Sequence, residues 1–141
     1  RQWKLGLFGT AKTAEQLREA FQREGLLVRV IHSHGNFIDV VPYAAGKAKA
    51  AEHLMSRLGI NRASCIAAGN SGNDEDLLRS MPRSILVGNA DPQMRPLREL
   101  GHVYSANRSF APGVLEGPAY WQSQMRGGRP HTGGAKAQTG Q

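Results

Sequence analysis

The chain has 141 residues, 40% of them hydrophobic, and 17 glycines. That is enough for a domain with a core, and no run of about 18 apolar residues is present to make a transmembrane helix. The net charge of +7 is spread along the chain rather than gathered in one run, and aromatics are only 6%. Attraction for a phosphorylated small molecule, or plain solubility, explains that charge better than nucleic-acid binding does. A single cysteine, Cys65, excludes an internal disulfide, so a reducing cytoplasm is the expected setting. The start, Arg1-Gln2-Trp3-Lys4, has no signal-peptide pattern and no initiating Met, so a fragment of a longer chain is expected.

In chain order, Lys4–Phe8 reads as a short strand. Thr13–Gly25 reads as a helix capped by Thr13, with Leu17, Ala20 and Phe21 on one face and Gly25 as its stop. Leu26–Ile31 alternates as a strand, His34-Gly35-Asn36 supplies a turn, and Phe37–Val41 pairs back as a hairpin. Pro42 breaks this β-α-β-β pattern. From Gly46 to Leu58 a helix is expected, with Ala50, Leu54 and Leu58 on one face and Gly59 closing it.

A buried strand over Ser64–Ala68 containing Cys65, a polar loop and a short helix over Leu77–Met81 follow. Next come a strand over Ser84–Gly88, a helix over Pro92–Leu100 with Pro96 inside it, and a strand over His102–Ser105. The last helix runs from Pro112 to about Met125, and Gly117-Pro118 should kink or interrupt it. Repeated αβ alternation after Gly46 predicts an α/β fold, a parallel sheet with flanking helices, preceded by an α+β piece. The boundary falls near Val41–Ala45. Residues 1–40 form the first part, 41–125 the second, and 126–141 a flexible polar tail rich in glycine.

The chemistry concentrates in Gly69-Asn70-Ser71-Gly72-Asn73-Asp74-Glu75-Asp76, between a predicted strand and a helix. At that edge of an open α/β sheet ligands bind, helix N–H groups favour anions, and grouped oxygens favour a hard cation. Ser71-x-x-Asp74 equally fits a capping box, which is ordinary helix chemistry. Lys47 opens a helix, where a cation is unfavourable unless it faces an anion; a solvated surface lysine is the plainer alternative. His32 and His34, two apart on a strand, would share one face, but no Cys or carboxylate cluster accompanies them as metal ligands. Asn89 and Asp91 follow a strand end, where they cap the next helix or face a ligand.

Taken in order, Asp39-Val40-Val41-Pro42 with Ala45-Gly46-Lys47, then Gly69-Asn70-Ser71-Gly72-Asn73-Asp74, then Val87-Gly88-Asn89-Ala90 resemble the haloacid dehalogenase superfamily. Ser105-Ala106-Asn107 and Ala111–Gly117 add to a likeness, over about residues 4–122, with its sucrose-phosphate phosphatase family and with the phosphatase-like tails of sucrose-phosphate synthases. The resemblance implies a partial Rossmann-like core preceded by the end of a type IIB cap. It implies an Mg²⁺-dependent sugar-phosphate phosphatase, and in the alternative a non-catalytic domain serving a glycosyltransferase partner. The family's aspartate nucleophile and its acid/base partner come from an Asp-x-Asp strand that this sequence does not show. By resemblance, Lys47 steadies the transferring phosphate, Asn73 orients the substrate, Asp74 is catalytic, and Asn70 with Asp74 holds the metal. The family usually has Asp where this chain has Asn70, which weakens the expected metal site. Without the nucleophile motif the chain alone should be inactive.

Overall fold

The computed structural model describes residues 3–127. The first strands are β1 (Leu5–Phe8), β2 (Val28–Ser33) and β3 (Phe37–Pro42), with helix α1 (Ala11–Arg23) between β1 and β2. They form an antiparallel sheet in the order β1-β3-β2. Alternation along the strands puts Val30, Ile38 and Val40 on one face, and α1 closes over them with Ala14, helped by Leu17 and Phe21.

Several boundaries differ from the sequence expectation. Thr10, not Thr13, caps α1: its extended backbone leaves its hydroxyl free to accept the Thr13 N–H. Strand β2 starts later than Leu26, because the Leu26 N–H is used by the Phe21 carbonyl (2.9 Å) at the helix end. It also ends at Ser33. His34–Asn36 then forms a single 3₁₀ turn with Gly35 at φ 75° and Asn36 at φ 61°, so the strand alternation invoked for His32 and His34 stops before His34.

The second sheet is parallel, in the order β4 (Ala67–Gly69), β5 (Ser84–Leu86), β6 (Val103–Ser105). Helices α2 (Lys47–Leu58), α3 (Glu75–Ser80) and α4 (Phe110–Gly127) accompany it. Leu86 points into a cluster with Met55, Leu78, Met81, Met94 and Leu97, and Ile85, on the opposite face, packs with Val87 and Ala106. The other edge of β4 pairs with no strand among the described residues.

Here too the structure corrects details. Cys65 lies outside β4 and is half-buried, because Arg62–Ser64 folds as a 3₁₀ turn and parallel pairing begins only at Ala67. Pro92–Glu99 is 3₁₀ rather than α: Pro96 has no N–H to donate, and the buried pair Met94 and Leu97, three apart, suits three residues per turn. Helix α3 starts at Glu75, and α4 starts at Phe110 and runs unbroken through Pro118. Contact with β5 and the buried Trp121, whose indole N–H donates to the Ser84 carbonyl (3.3 Å), holds α4. Helix α2 buries Met55 and part of Ala51, whereas Ala50, Leu54 and Leu58 are exposed. No helix among the described residues is long and apolar enough to cross a membrane.

Candidate active site

Strand β4 delivers the chain to the acidic loop at its C-terminal end. The loop folds back so tightly that a Cβ on Gly69 would lie 2.4 Å from that of Asp74, so only glycine fits there. Asp74 is the hub. Its Oδ2 accepts the N–H groups of Asn70 (2.9 Å) and Ser71 (3.3 Å), and Ser71 and Asp74 complete a reciprocal capping box. The capping alternative therefore holds for this carboxylate.

Lys47 opens α2, whose N-cap Gly46 offers no side chain. Its Nζ donates to Asn73 Oδ1 (3.2 Å) and forms an ion pair with Asp74 Oδ1. A cation at a helix N-terminus opposes the macrodipole, and here a carboxylate that is 10% exposed offsets that cost. The Ser71 hydroxyl lies 3.0 Å from Asn73 Oδ1 and fixes the amide's orientation. Asn70 joins through its backbone: its N–H binds Asp74 and its carbonyl accepts the Asp91 N–H (2.8 Å). Asn70, Asp74 and Asn89 line an open cleft of about 450 Å³ with Phe110 and Val114.

Other sequence candidates lie elsewhere or act otherwise. His32 sits on β2, its Nδ1 3.3 Å from Gln93 Oε1, and no group of three His, Cys, Asp or Glu residues among the described residues is placed to hold a metal. Neither Asn89 nor Asp91 caps the 3₁₀ segment with its side chain; Asn89 Oδ1 instead accepts the Phe110 N–H (2.7 Å) at the start of α4. One residue that local pattern did not single out is Glu116 on α4. It accepts the Asn107 N–H (2.9 Å), the Arg108 N–H (2.9 Å) and the Tyr104 hydroxyl (3.1 Å), and pairs with the Arg108 guanidinium (3.2 Å). The Asn107 N–H, then the Arg108 N–H, the Tyr104 hydroxyl and the Arg108 charge, hold its carboxyl below the usual range, against partial burial. Burial first, then the Glu116 hydrogen bond, pushes the Tyr104 phenol up.

Phosphotransferases of the superfamily that the sequence resembles generally use a divalent metal. The oxygens of Asn70 and Asp74 suit a hard cation in kind. They do not complete a site in number: Asp74 already receives two N–H groups and an ammonium, Asn70 brings no charge, and among the described residues no group of three His, Cys, Asp or Glu stands ready to hold a metal.

The sucrose-6F-phosphate phosphohydrolase family profile matches residues 2–122. The chain is 32% identical over 119 residues to a probable sucrose-phosphatase 3b of Arabidopsis thaliana, covering 77% of this chain and 27% of that protein. The sucrose-phosphatase of Synechocystis sp. PCC6803, solved with sucrose and phosphate, superposes with a TM-score of 0.76 at 28% identity, covering 85% of this chain and 52% of that one. A subclass IIB sugar phosphatase of the haloacid dehalogenase superfamily shares the fold, with a TM-score of 0.60 at 18% identity, over 89% of this chain and 43% of that one. The chain thus spans about half of these structures and about a quarter of the plant protein. With a parallel sheet, flanking helices and a family match over most of its length, this chain belongs to the sucrose-phosphatase family of the haloacid dehalogenase superfamily.

Proposed function

We propose that these residues form the C-terminal part of an Mg²⁺-dependent phosphatase acting on sucrose phosphate or a closely similar sugar phosphate in the cytoplasm. The observation that carries this reading is the convergence of Lys47, Asn73 and Asp74 at the C-terminal end of β4, in a chain of this family. In it, residues 1–40 end a cap domain and 41–125 are the second half of the core; of the tail expected over 126–141, Arg126 and Gly127 instead close helix α4, and 128–141 lie outside the described residues.

Lys47 is the fixed cation that stabilises charge developing on the phosphate, which requires a donor held in place before the reaction. Asn73 orients the substrate. Asp74 holds Lys47 in position, and with Asn70 it offers oxygens to Mg²⁺. The bound ion would neutralise charge on the phosphate oxygens. The nucleophile, the acid/base partner and the remaining metal ligands come from a segment outside residues 3–127, in keeping with the roughly half coverage of the cyanobacterial enzyme. The 141 residues alone release no phosphate.

The test is phosphate release from sucrose 6-phosphate by the longest natural chain that carries these residues. Lys47→Met is expected to lower kcat by about a hundredfold or more. No release from any sugar phosphate by the unsubstituted protein would sink the reading. A second reading, a phosphatase-like domain that binds sugar phosphate beside a glycosyltransferase, is favoured by Asn70, which removes one carboxylate from the acidic loop. Sugar-phosphate binding without hydrolysis, unchanged in Asn70→Asp, is its signature.

A further inference from the structure

Lys47 lies on α2 and Asp74 in the acidic loop, two segments whose relative position decides whether the site exists. Besides Lys47's own bonds, Asp76 joins them. Its Oδ1 accepts the Leu77 N–H (2.8 Å) at the start of α3. Its Oδ2 faces the other way. It accepts the Ala48 N–H (3.4 Å) in the first turn of α2 and the Arg29 guanidinium (3.0 Å) of β2. The same Arg29 nitrogen donates to the Ala45 carbonyl (3.0 Å), just ahead of Lys47.

Gly46 lies close against this pair. A Cβ on Gly46 would stand 2.4 Å from both Arg29 Nη1 and Asp76 Oδ2. Gly46 brings no side chain to cap α2, and Asp76 accepts one of the helix's unpaired N–H groups from a distant position. The pair is only partly exposed, Arg29 by 29% and Asp76 by 18%, so solvent screens it less than a surface ion pair.

We propose that Asp76, tied down by Arg29, is a positioning residue that sets Lys47 against Asn73 and Asp74 and couples that arrangement to strand β2. Asp76 itself touches no reacting group. The proposal rests on the phosphatase reading for its kinetic consequence, but not for its structural one.

The experiment compares Asp76→Ala, Asp76→Asn and Arg29→Ala in two assays. In the longest natural chain that carries these residues, amide hydrogen exchange is followed at Ala48 and at Asn70, Ser71 and Asp74. Asp76→Ala, which removes both the cap and the ion pair, is expected to speed Ala48 and acidic-loop exchange by about tenfold. Asp76→Asn keeps an oxygen for the Ala48 N–H, so Ala48 stays within about threefold of the parent. Arg29→Ala leaves the Asp76 oxygen free to turn and gives an intermediate increase.

In the longest natural chain with phosphatase activity, Asp76→Ala is expected to lower kcat by about tenfold while KM for the sugar phosphate stays within about twofold. The asparagine variant recovers most of that loss. Unchanged exchange at Ala48 in Asp76→Ala would overturn the proposal. So would equal kcat losses in the Ala and Asn variants, tracking only a lowered Tm, since that marks a generic stabilising pair. Should Asp76→Ala not fold, the isosteric Asp76→Asn and Arg29→Ala carry the comparison, and parent-like loop exchange in both counts against it. If the parent releases no phosphate, the functional reading fails, while the exchange assay still decides the positioning role.

Discussion

At the scale of single residues, the site is a matter of charge accounting around Asp74. One carboxylate receives two backbone N–H groups and an ammonium, so the loop closes on itself before any ligand arrives. In the proposed reading a metal ion would draw on Asn70, whose amide supplies an oxygen without a charge. Replacing Asn70 by Asp should tighten Mg²⁺ binding by about tenfold in the longest natural chain, measured by calorimetric titration. If hydrolysis rises with it, Asn70 marks a weakened catalytic site; if binding tightens and hydrolysis stays absent, the domain is a binding module. Burial decides a separate residue-level outcome. Leu86 is 1% exposed, and Leu86→Ala should cost about 2–5 kcal/mol of stability in denaturant unfolding.

At the scale of elements, helix ends and strand ends are held by side chains from other segments. Asn89 serves the start of α4, Asp76 the start of α2, and Glu116 the loop after β6. Glu116 gives this a pH signature. Its carboxyl is held below its ordinary value of 4.5 in the folded chain. A depressed carboxylate contributes stability in full above the unfolded value and loses it as the pH falls through the folded one. Glu116→Gln should therefore lower Tm at pH 7, and the gap between parent and variant should close as the pH drops below about 4.5. A gap that stays constant across that range in thermal unfolding would show that packing of α4, not the charge, accounts for the loss.

For the whole molecule, the notable feature is apolar surface with no cover among the described residues. Leu54 is 56% and Leu58 62% exposed on α2, and Ala50 and Leu54 line an open groove of about 1020 Å³ with Trp3, Val41 and Pro42. One edge of β4 is also unpaired among the described residues. Exposed apolar patches and free strand edges promote association. The 141-residue chain should self-associate at micromolar concentration in sedimentation velocity, and Leu54→Ser with Leu58→Ser should shift it toward monomer. A longer natural chain in which a further segment covers this surface should be insensitive to the same pair.

How much of this was legible in advance follows from the range of the interactions involved. The αβ alternation, the strand–loop–helix around Asp74 and the family resemblance are written in local periodicity and in motifs of a few residues, and the parallel sheet was readable from them. The four candidates Lys47, Asn70, Asn73 and Asp74 came from the same motifs. That a cation opening a helix at Lys47 should face an anion was legible in the residues; that its partners are Asn73 and Asp74, 26 and 27 positions later, was not. What escaped were details set by competition between neighbours. Leu26 gave its N–H to a helix end instead of a strand, and Pro96 turned an expected α-helix into 3₁₀. Amphipathic spacing on α2 pointed to Leu54 and Leu58, while packing against α3 and β5 selected Ala51 and Met55. Arg29 and Asp76 lie far in sequence from the groups of the α2 start that they hold, and Glu116 reaches back 8 to 12 positions to the end of β6 and the loop after it. Periodicity is a local property, whereas a hydrogen bond across 28 or 47 positions exists only once the chain has folded.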